Sequence, residues 1–299
     1  MTDPHDHRRP ALLISGCSSG IGLCCAHAMQ KRGWRVFAGV RRDAQITDLH
    51  ERGLDAVLLD VDDSASIHAA VETVLAATDG RLDALFNNAG FGQPGALEDV
   101  PRKALREQFE TNVFGAMELT ASVLPAMRRH GHGRIVFNSS VLGFAALPYR
   151  GAYTASKFAL EGMADTLRME LRSSSIQVSL IEPGPISSRF RANAYARFRQ
   201  HIQTEDSPHR DAYRAVEYRL AKDDEPASGP FTLPPEAVLK RLVHALESRR
   251  PRARYYVTVP TYLFGYLRRL LPSRAMDAVL MRATADERRL PRQRREQRP

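Results

Sequence analysis

The sequence is poor in cysteine and tryptophan and contains no long apolar run. It has 3 Cys and 1 Trp in 299 residues. The cysteines at positions 17, 24 and 25 form no CxxC pair, so we expect no disulfide framework and infer a reducing compartment. No stretch approaches the roughly 20 apolar residues of a membrane-spanning helix. Residues 1–10 lack the apolar centre of a secretory signal, so a cytoplasmic location is expected.

Two kinds of catalytic site are also missing from the pattern. No GxSxG surrounds Ser140, which disfavours acyl transfer at a serine nucleophile. No group of His, Cys and Asp has zinc-ligand spacing, so no metal site is predicted and a zinc alcohol dehydrogenase is disfavoured. Hydrophobic residues at 43% and charged residues at 26% are ordinary for a globular domain and exclude a wholly disordered chain.

Basic residues are concentrated at one end of the chain. Residues 1–239 carry 27 Lys or Arg and 29 Asp or Glu, whereas residues 240–299 carry 16 and 5. This Arg-rich end is either simply solvated, or it contacts anionic lipid or nucleic acid. No base-reading module accompanies this basic end, which argues against a nucleic-acid partner.

Short apolar runs alternate with helical patterns from residue 11 onward. Helical patterns lie near residues 64–78, 101–129 and 154–172. This alternation predicts βαβ units, and right-handed crossovers then give a Rossmann-like, doubly wound parallel sheet of the α/β class. The runs predicted as strands are residues 11–14, 34–40, 56–60, 82–86, 134–137 and 176–181.

We predict one Rossmann-fold domain over residues 11–256, preceded by a disordered N-terminus at 1–10. Residues 187–230 interrupt the strand–helix alternation and are expected to form a helical lid insert over the site. Residues 257–299 are expected to form an amphipathic helical and Arg-rich C-terminal extension. Its helix either lies on a membrane surface, as a peripheral contact, or packs against the fold or a second copy of the chain.

The first predicted strand runs into a glycine-rich turn, Ser15-Gly16-Cys17-Ser18-Ser19-Gly20-Ile21-Gly22. Glycine lets the chain turn sharply and lets a pyrophosphate approach the backbone. The following helix directs its free N–H groups and the positive end of its dipole at that phosphate. A turn of this kind between a strand and a helix is the context that a dinucleotide site requires.

The glycine spacing resembles the TGxxxGxG turn of the short-chain dehydrogenase/reductase family, with Ser15 in place of the usual Thr. The resemblance continues in order with Asn87-Asn88-Ala89-Gly90, Asn112, Ser140, the YxxxK pair Tyr153 and Lys157, and Pro183-Gly184. These markers span residues 11–190, about two thirds of the chain, and the sequence is most similar to hydroxysteroid and retinol dehydrogenases.

The resemblance implies an oxidoreductase with the catalytic tetrad Asn112, Ser140, Tyr153 and Lys157. Tyr153 would exchange a proton with a carbonyl or alcohol oxygen. A free phenol has a pKa of about 10, which is too high for an efficient base near neutral pH. The positive charge of Lys157, one helical turn away, is expected to lower the pKa of Tyr153. Ser140 would bond the substrate oxygen, and Asn112 would position a water. A non-catalytic NADP(H)-binding sensor or scaffold is the alternative, and an intact tetrad argues against it.

The second strand ends in Arg41 and Arg42, where NAD sites usually place Asp or Glu. A guanidinium binds a 2′-phosphate, so we predict that NADP(H) is preferred, with Ser18 as a second phosphate ligand. The alternative is that both arginines are merely exposed and NAD(H) is used as well. Asp60 matches an adenine-contacting position, or it is a structural turn carboxylate. The cofactor set is Gly16, Ser18, Ser19, Gly20, Ile21, Gly22, Arg41, Asp60, Val61, Asn88, Ala89, Gly90, Tyr153, Lys157, Pro183, Gly184, Ile186 and Ser188.

The substrate is expected to be a hydrophobic carbonyl or alcohol, such as a steroid, a retinoid or a lipid-like compound. An apolar pocket is expected from residues 141–150, residues 91–94 and the insert, with Phe190 and Tyr195 among its aromatic side chains. The resemblance also implies a homodimer or homotetramer formed through the long helices. The predicted substrate-binding residues are Ser140, Val141, Leu147, Tyr153 and Pro185.

Overall fold

The computed structural model describes residues 9–221 and 231–285. In these ranges seven strands form one parallel sheet with the order β3-β2-β1-β4-β5-β6-β7. The strands are β1 (Ala11–Ile14), β2 (Arg35–Val40), β3 (Asp55–Leu58), β4 (Ala84–Asn87), β5 (Gly133–Asn138), β6 (Ile176–Glu182) and β7 (Arg254–Tyr256).

Helices connect the strands and cover both faces of the sheet. A π-helical turn, Glu110–Phe114, and a short 3₁₀ turn, Val141–Gly143, complete the regular structure of the described ranges. The α-helices are α1 (Gly20–Lys31), α2 (Asp43–Glu51), α3 (Ser64–Ala77), α4 (Arg102–Phe109), α5 (Gly115–His130), α6 (Gly151–Glu170), α7 (Phe190–His201), α8 (Arg210–Leu220), α9 (Glu236–Glu247), α10 (Val259–Leu270) and α11 (Ser273–Ala283).

The central strands of the sheet are buried on both faces, which explains why they are apolar without alternation. All four residues of β1 are buried. One core cluster joins the sheet to α3, α5 and α6, and a second joins it to α1 and α9. The strand order changes direction between β1 and β4, so the carboxyl ends of these two strands open the crevice where ligands of such sheets bind.

The doubly wound parallel sheet is confirmed, and two local features were not predicted. The helix expected near residues 101–129 is present as α4 and α5, but a π-helical turn, Glu110–Phe114, joins them. The three-residue strand β7 was not predicted, because Arg254-Tyr255-Tyr256 contains no apolar run. It is a strand because it pairs in parallel with the end of β6, an interaction between residues far apart in the chain.

The insert begins and ends beside the edge of the sheet. Helices α7 and α8 pack with Phe198 and Tyr213 against the segment after β4. The chain returns at Leu233, whose N–H donates to the Pro185 carbonyl at 3.1 Å and whose carbonyl accepts from Ser187 N at 2.9 Å. Residues 222–230 of the expected lid lie outside the described ranges.

The C-terminal helices pack against the fold. Met276 and Leu280 of α11 form a core cluster with Ala145, and partly buried side chains of α10 and of the loop after β5 join it. This favours the packed alternative for one face of the expected amphipathic segment. Residues 1–8 and the Arg-rich residues 286–299 lie outside the described ranges. Among the described helices, none combines the length and apolarity needed to cross a bilayer.

Two leucines of the C-terminal helices test this packing. Leu280 is 5% exposed and Leu270 is 77% exposed. Leu280→Ala should lower the free energy of unfolding by about 2–3 kcal/mol because it leaves a cavity. Leu270→Ala should change it by less than about 0.5 kcal/mol. Urea denaturation of the full chain measures both, and equal small effects would show that α11 does not pack as described.

Candidate active site

The glycine-rich turn after β1 is tied to the end of β4 by hydrogen bonds. Ser15 Oγ accepts from the N–H groups of Asn88 and Ala89, both at 3.0 Å. Asn88 Nδ2 donates in return to the carbonyls of Ser15 at 3.0 Å and Gly16 at 3.1 Å. The turn is therefore fixed to the end of β4 by side-chain contacts.

The glycines of the turn are required by close contacts and by backbone conformation. Gly16 and Gly20 have φ values of +74° and +60°, which side chains rarely adopt. A Cβ on Gly16 would lie 2.8 Å from Ala89 Cα, and one on Gly22 would lie 2.6 Å from Asn88 Nδ2.

The glycine turn leads directly into the N-terminus of α1, as an anion-binding site requires. Ser19 is the N-cap residue and makes no side-chain capping hydrogen bond in the described structure. The first N–H groups of α1 therefore remain directed at the crevice. Exposed Ser18, Ile21 and the glycine backbone surround this helix end, and the arrangement fits a pyrophosphate.

The residues predicted for the adenine side lie at the ends of β2 and β3. Arg41 is exposed just after β2. Its charge acts on Asp62, whose pKa is raised by burial and lowered in part by Arg41. Asp60 accepts from Asp62 N at 3.1 Å, the contact expected of a turn carboxylate. Val61 is buried with its carbonyl against Gly115 of α5, which leaves no room for a side chain there.

The candidate catalytic side chains meet where β5 ends and α6 begins. Tyr153 lies in the first turn of α6 and is hydrogen-bonded to the hydroxyl of Ser140, which directly follows the β5 region. Lys157 Nζ lies 5.7 Å from the centroid of the Tyr153 ring. It donates to the Asn138 carbonyl at 2.8 Å. Three of the predicted tetrad residues are thus brought together.

The pKa values of this group differ from the simple expectation. Burial raises the pKa of Tyr153 to about 12, and the hydrogen bond with Ser140 opposes this rise. Burial lowers the pKa of Lys157 to about 8, and the negative charge of Glu161 opposes that change. Burial thus outweighs any lowering of the Tyr153 pKa by the charge of Lys157.

Asn112 lies in the π-helical turn between α4 and α5, near Lys157. Its Oδ1 accepts from Phe91 N at 3.1 Å, and its Nδ2 donates to Phe91 O and to Ser156 Oγ, both at 3.0 Å. Gly90 lies between the two: a Cβ there would be 3.0 Å from Asn112 Oδ1 and 3.9 Å from Lys157 Nζ.

The turn after β6 forms the opposite wall of the crevice. The Pro183 carbonyl accepts from Val141 N at 2.7 Å, which joins this turn to the Ser140 loop. A side chain on Gly184 would overlap Thr258, so the segment after β7 packs directly on the turn. Ile186 bridges to Leu233. Ser188 faces Gly20 across the crevice, 3.1 Å from the position that a Cβ on Gly20 would take.

The side chains predicted for the substrate wall take different positions. Phe190 packs edge-on against Tyr153 with ring centroids 5.3 Å apart and remains 40% exposed. Val141 and Leu147 pack against the C-terminal helices. Pro185 is exposed. Tyr195 packs away in the insert's own core, with its hydroxyl donating to Glu217 at 3.3 Å.

Two residues of the site were not predicted. Asn138 donates from Nδ2 to Asn88 Oδ1 at 2.9 Å and holds Lys157 by its carbonyl. Ser15 anchors the end of β4, although its position was noted only for the glycine motif. Their place directly at the ends of β5 and β1 was the available signal, because strand ends at the switch point face the crevice.

This arrangement defines a class of protein. A pyrophosphate-fitting helix end at the switch point of a parallel sheet faces a tyrosine–serine–lysine group across one crevice. These are the parts of a nicotinamide-dependent oxidoreductase that uses a tyrosine for proton transfer. A family model described as short chain dehydrogenase matches residues 10–197. The chain belongs to the short-chain dehydrogenase family and is an oxidoreductase acting on CH–OH groups with NAD(P).

Comparisons with individual proteins agree with this assignment. An uncharacterized oxidoreductase, YbbO, of Escherichia coli K12 is 44% identical over 275 residues, covering 90% of this chain and 93% of the relative. Human 17-beta-hydroxysteroid dehydrogenase type 1 is 33% identical over 264 residues, covering 84% and 78%. A short chain dehydrogenase/reductase from Burkholderia phymatum, solved in complex with NAD, has a TM-score of 0.73 at 26% identity and covers 88% of this chain and 92% of that one.

Proposed function

We propose that the protein is an NADP(H)-dependent oxidoreductase that interconverts a hydrophobic ketone or aldehyde and its alcohol. The observation that carries the proposal is the Tyr153 phenol, hydrogen-bonded to Ser140 and adjacent to Lys157, beside the glycine turn. The bound nicotinamide supplies or accepts the hydride. Asn112, Ser140, Tyr153 and Lys157 are the proposed catalytic residues.

Each side chain of the group has a definite task in this reaction. In reduction the Tyr153 hydroxyl donates its proton to the carbonyl oxygen, and in oxidation the phenolate accepts the alcohol proton. Ser140 holds the same oxygen by a hydrogen bond. The charge of Lys157 favours the phenolate, which matters because burial works against that charged form. Asn112 fixes the loop at Phe91 and the helix at Ser156 around this group.

The residues around the glycine turn are proposed to hold NADP(H). The α1 N-terminus and the turn from Gly16 to Gly22 would hold the pyrophosphate. Asn88, Ala89, Gly90, Asp60 and Val61 would line the nucleoside halves, and Pro183, Gly184, Ile186 and Ser188 would line the nicotinamide. Exposed Arg41 at the end of β2 supports preference for a 2′-phosphate, and NAD(H) use is the alternative.

An apolar, ring-sized substrate fits the wall around Tyr153. Ser140, Val141, Leu147, Tyr153 and Pro185 are the proposed substrate-binding residues. The aromatic ring of Phe190 against Tyr153 supports an apolar ligand over the reacting group. Similarity to a steroid dehydrogenase supports a steroid-, retinoid- or lipid-like compound.

Two kinds of macromolecular contact are also proposed. A homodimer or homotetramer is supported by exposed Phe114 before α5 and by exposed Met163 and Met169 on α6. Peripheral membrane contact is supported by an exposed apolar stripe on α10, which we define as Val259, Leu263, Tyr266 and Leu270. These residues share one helical face, and arginines of the basic C-terminal region lie next to them in sequence.

The role of Tyr153 can be tested by Tyr153→Phe. The variant keeps the ring and loses the proton, so kcat for carbonyl reduction should fall about 10²- to 10⁴-fold. NADPH oxidation is followed with a panel of steroid, retinoid and aliphatic carbonyls, and dinucleotide binding is measured alongside. Undiminished turnover in Tyr153→Phe would disprove this role. Tight NADPH binding by the unmodified protein without turnover on any carbonyl would favour a sensor or scaffold instead.

Arg41 is proposed to set the cofactor preference, and Arg42 provides a matched control. Arg41→Ala should lower the ratio of kcat/KM with NADPH to that with NADH about 10- to 100-fold, the effect of losing charge-assisted bonds of about 1.5–3 kcal/mol. Arg42→Ala should leave the ratio within about threefold because single exposed charges contribute little. Equal effects of the two substitutions would contradict a specific role for Arg41.

The stripe on α10 can be tested by vesicle sedimentation. The triple variant Leu263→Ser, Tyr266→Ser, Leu270→Ser should lose binding to vesicles of phosphatidylcholine mixed with phosphatidylserine, because apolar insertion is removed. Met169→Ser, an exposed site on α6, should keep it. Vesicles of phosphatidylcholine alone serve as the comparison, and binding only to the vesicles that contain phosphatidylserine would show the contribution of the arginines. No binding by the unmodified chain to either kind of vesicle would exclude this contact.

A further inference from the structure

A group of charged side chains, two of them buried and two partly buried, packs against α6. Arg254, the first residue of β7, donates from Nη1 to Glu161 Oε2 and, at 2.7 Å, to Glu182 Oε1. Its Nη2 donates to Asp165 Oδ2. We call these four residues the Arg254 cluster. One guanidinium thereby joins α6, the last residue of β6 and the edge strand β7.

The cluster is expensive to bury, which suggests a purpose beyond stability. Glu182 is 0% exposed and Glu161 is 6% exposed. The pKa of Glu182 is raised by burial and by repulsion from Glu161, whereas Arg254 acts to lower it. Burial works against the charge of Arg254, but the two glutamates outweigh it and raise its pKa. Buried ion pairs of this kind often add little to stability compared with apolar residues of similar size.

The position of the cluster relates it to catalysis. Glu161 lies one helical turn after Lys157 and two after Tyr153, on the same face of α6. Its negative charge counteracts the loss of the Lys157 proton. Glu182 directly precedes the turn that begins at Pro183, so Arg254 also ties the catalytic helix to the opposite wall of the crevice.

Charged and titratable groups surround Glu161 on three elements, α6, β6 and β7. Lys157 and Asp165 share its helix, Glu182 faces it from β6, and Arg254 and Tyr256 face it from β7. Arg269 of α10 acts on Tyr256. Burial raises the pKa of Glu161, and Arg254, which bonds both glutamates, acts to lower it. Arg254 therefore favours the ionised form of Glu161 beside Lys157.

We propose that Arg254 and Glu161 are positioning residues for the catalytic lysine. Arg254 holds Glu161 as a carboxylate, and Glu161 keeps Lys157 positively charged beside Tyr153. This inference rests on the proposed function for its catalytic part. The proposed role forms no new bond. It maintains the positive charge of Lys157, a group that the proposed reaction already uses.

The direct test is a titration of Lys157 by NMR in the full chain labelled at the lysine side chains. The sequence has five lysines, and Lys157→Met identifies the signal. Glu161→Gln keeps the shape and removes the charge, so the midpoint of Lys157 should fall by about one pH unit. Arg254→Met should lower it too, because Glu161 then takes up a proton. Arg254→Lys should return the midpoint toward the original value, and Arg249→Met, at an exposed site, should not move it.

The matching kinetic test follows carbonyl reduction against pH. Activity should fall on the alkaline side as Lys157 loses its proton, and Glu161→Gln should move this limb to lower pH by the same amount as the NMR midpoint. An unchanged midpoint in a folded Glu161→Gln variant would overturn the inference, even if Arg254→Met does not fold. If the Lys157 midpoint shifts but the alkaline limb of the pH–activity profile does not move, the catalytic part of the inference is overturned. A shifted midpoint without turnover in any variant would instead count against the proposed function.

Discussion

The site depends on one hydrogen-bonded chain that starts at a side-chain amide. Asn88 binds the glycine turn through Nδ2 and accepts from Asn138 through Oδ1. The carbonyl of Asn138 then holds Lys157. The ends of β1, β4 and β5 and the helix α6 are therefore fixed relative to one another by polar contacts at the carboxyl edge of the sheet.

This rigidity places charged groups where water is scarce. Lys157 is buried, its pKa is lowered by that burial, and the negative charge of Glu161 partly compensates. Tyr153 is shifted in the unfavourable direction for a base, since burial raises its pKa to about 12. The charges beneath α6 thus matter as much as the residues that face the crevice, because in a medium of low dielectric constant one neighbour alters the protonation of the next.

Much of the site was recognisable because its residues are held by local geometry. Gly16 and Gly20 must adopt positive φ, and Tyr153 and Lys157 must share one helical face, so a motif records each requirement. Asn112 carried no local signal for its π-helical turn, which arises where its amide bonds both Phe91 and Ser156. Asp60 was left open between two roles: its carboxylate accepts from Asp62 N within the turn, and the adenine contact stays a proposal.

The sequence by itself determined the order of strands and helices, the glycine turn and the tyrosine–lysine pair. These follow from hydrophobic periodicity and from contacts within a few residues. Only the tertiary structure decided that Arg254 forms an edge strand and bonds Glu161, 93 positions away, and that Leu280 of α11 packs behind the loop after β5. Tyr195 shows the same limit, because its packing in the insert core depends on partners that folding brings together. Such contacts depend on the whole chain, and no local pattern records them.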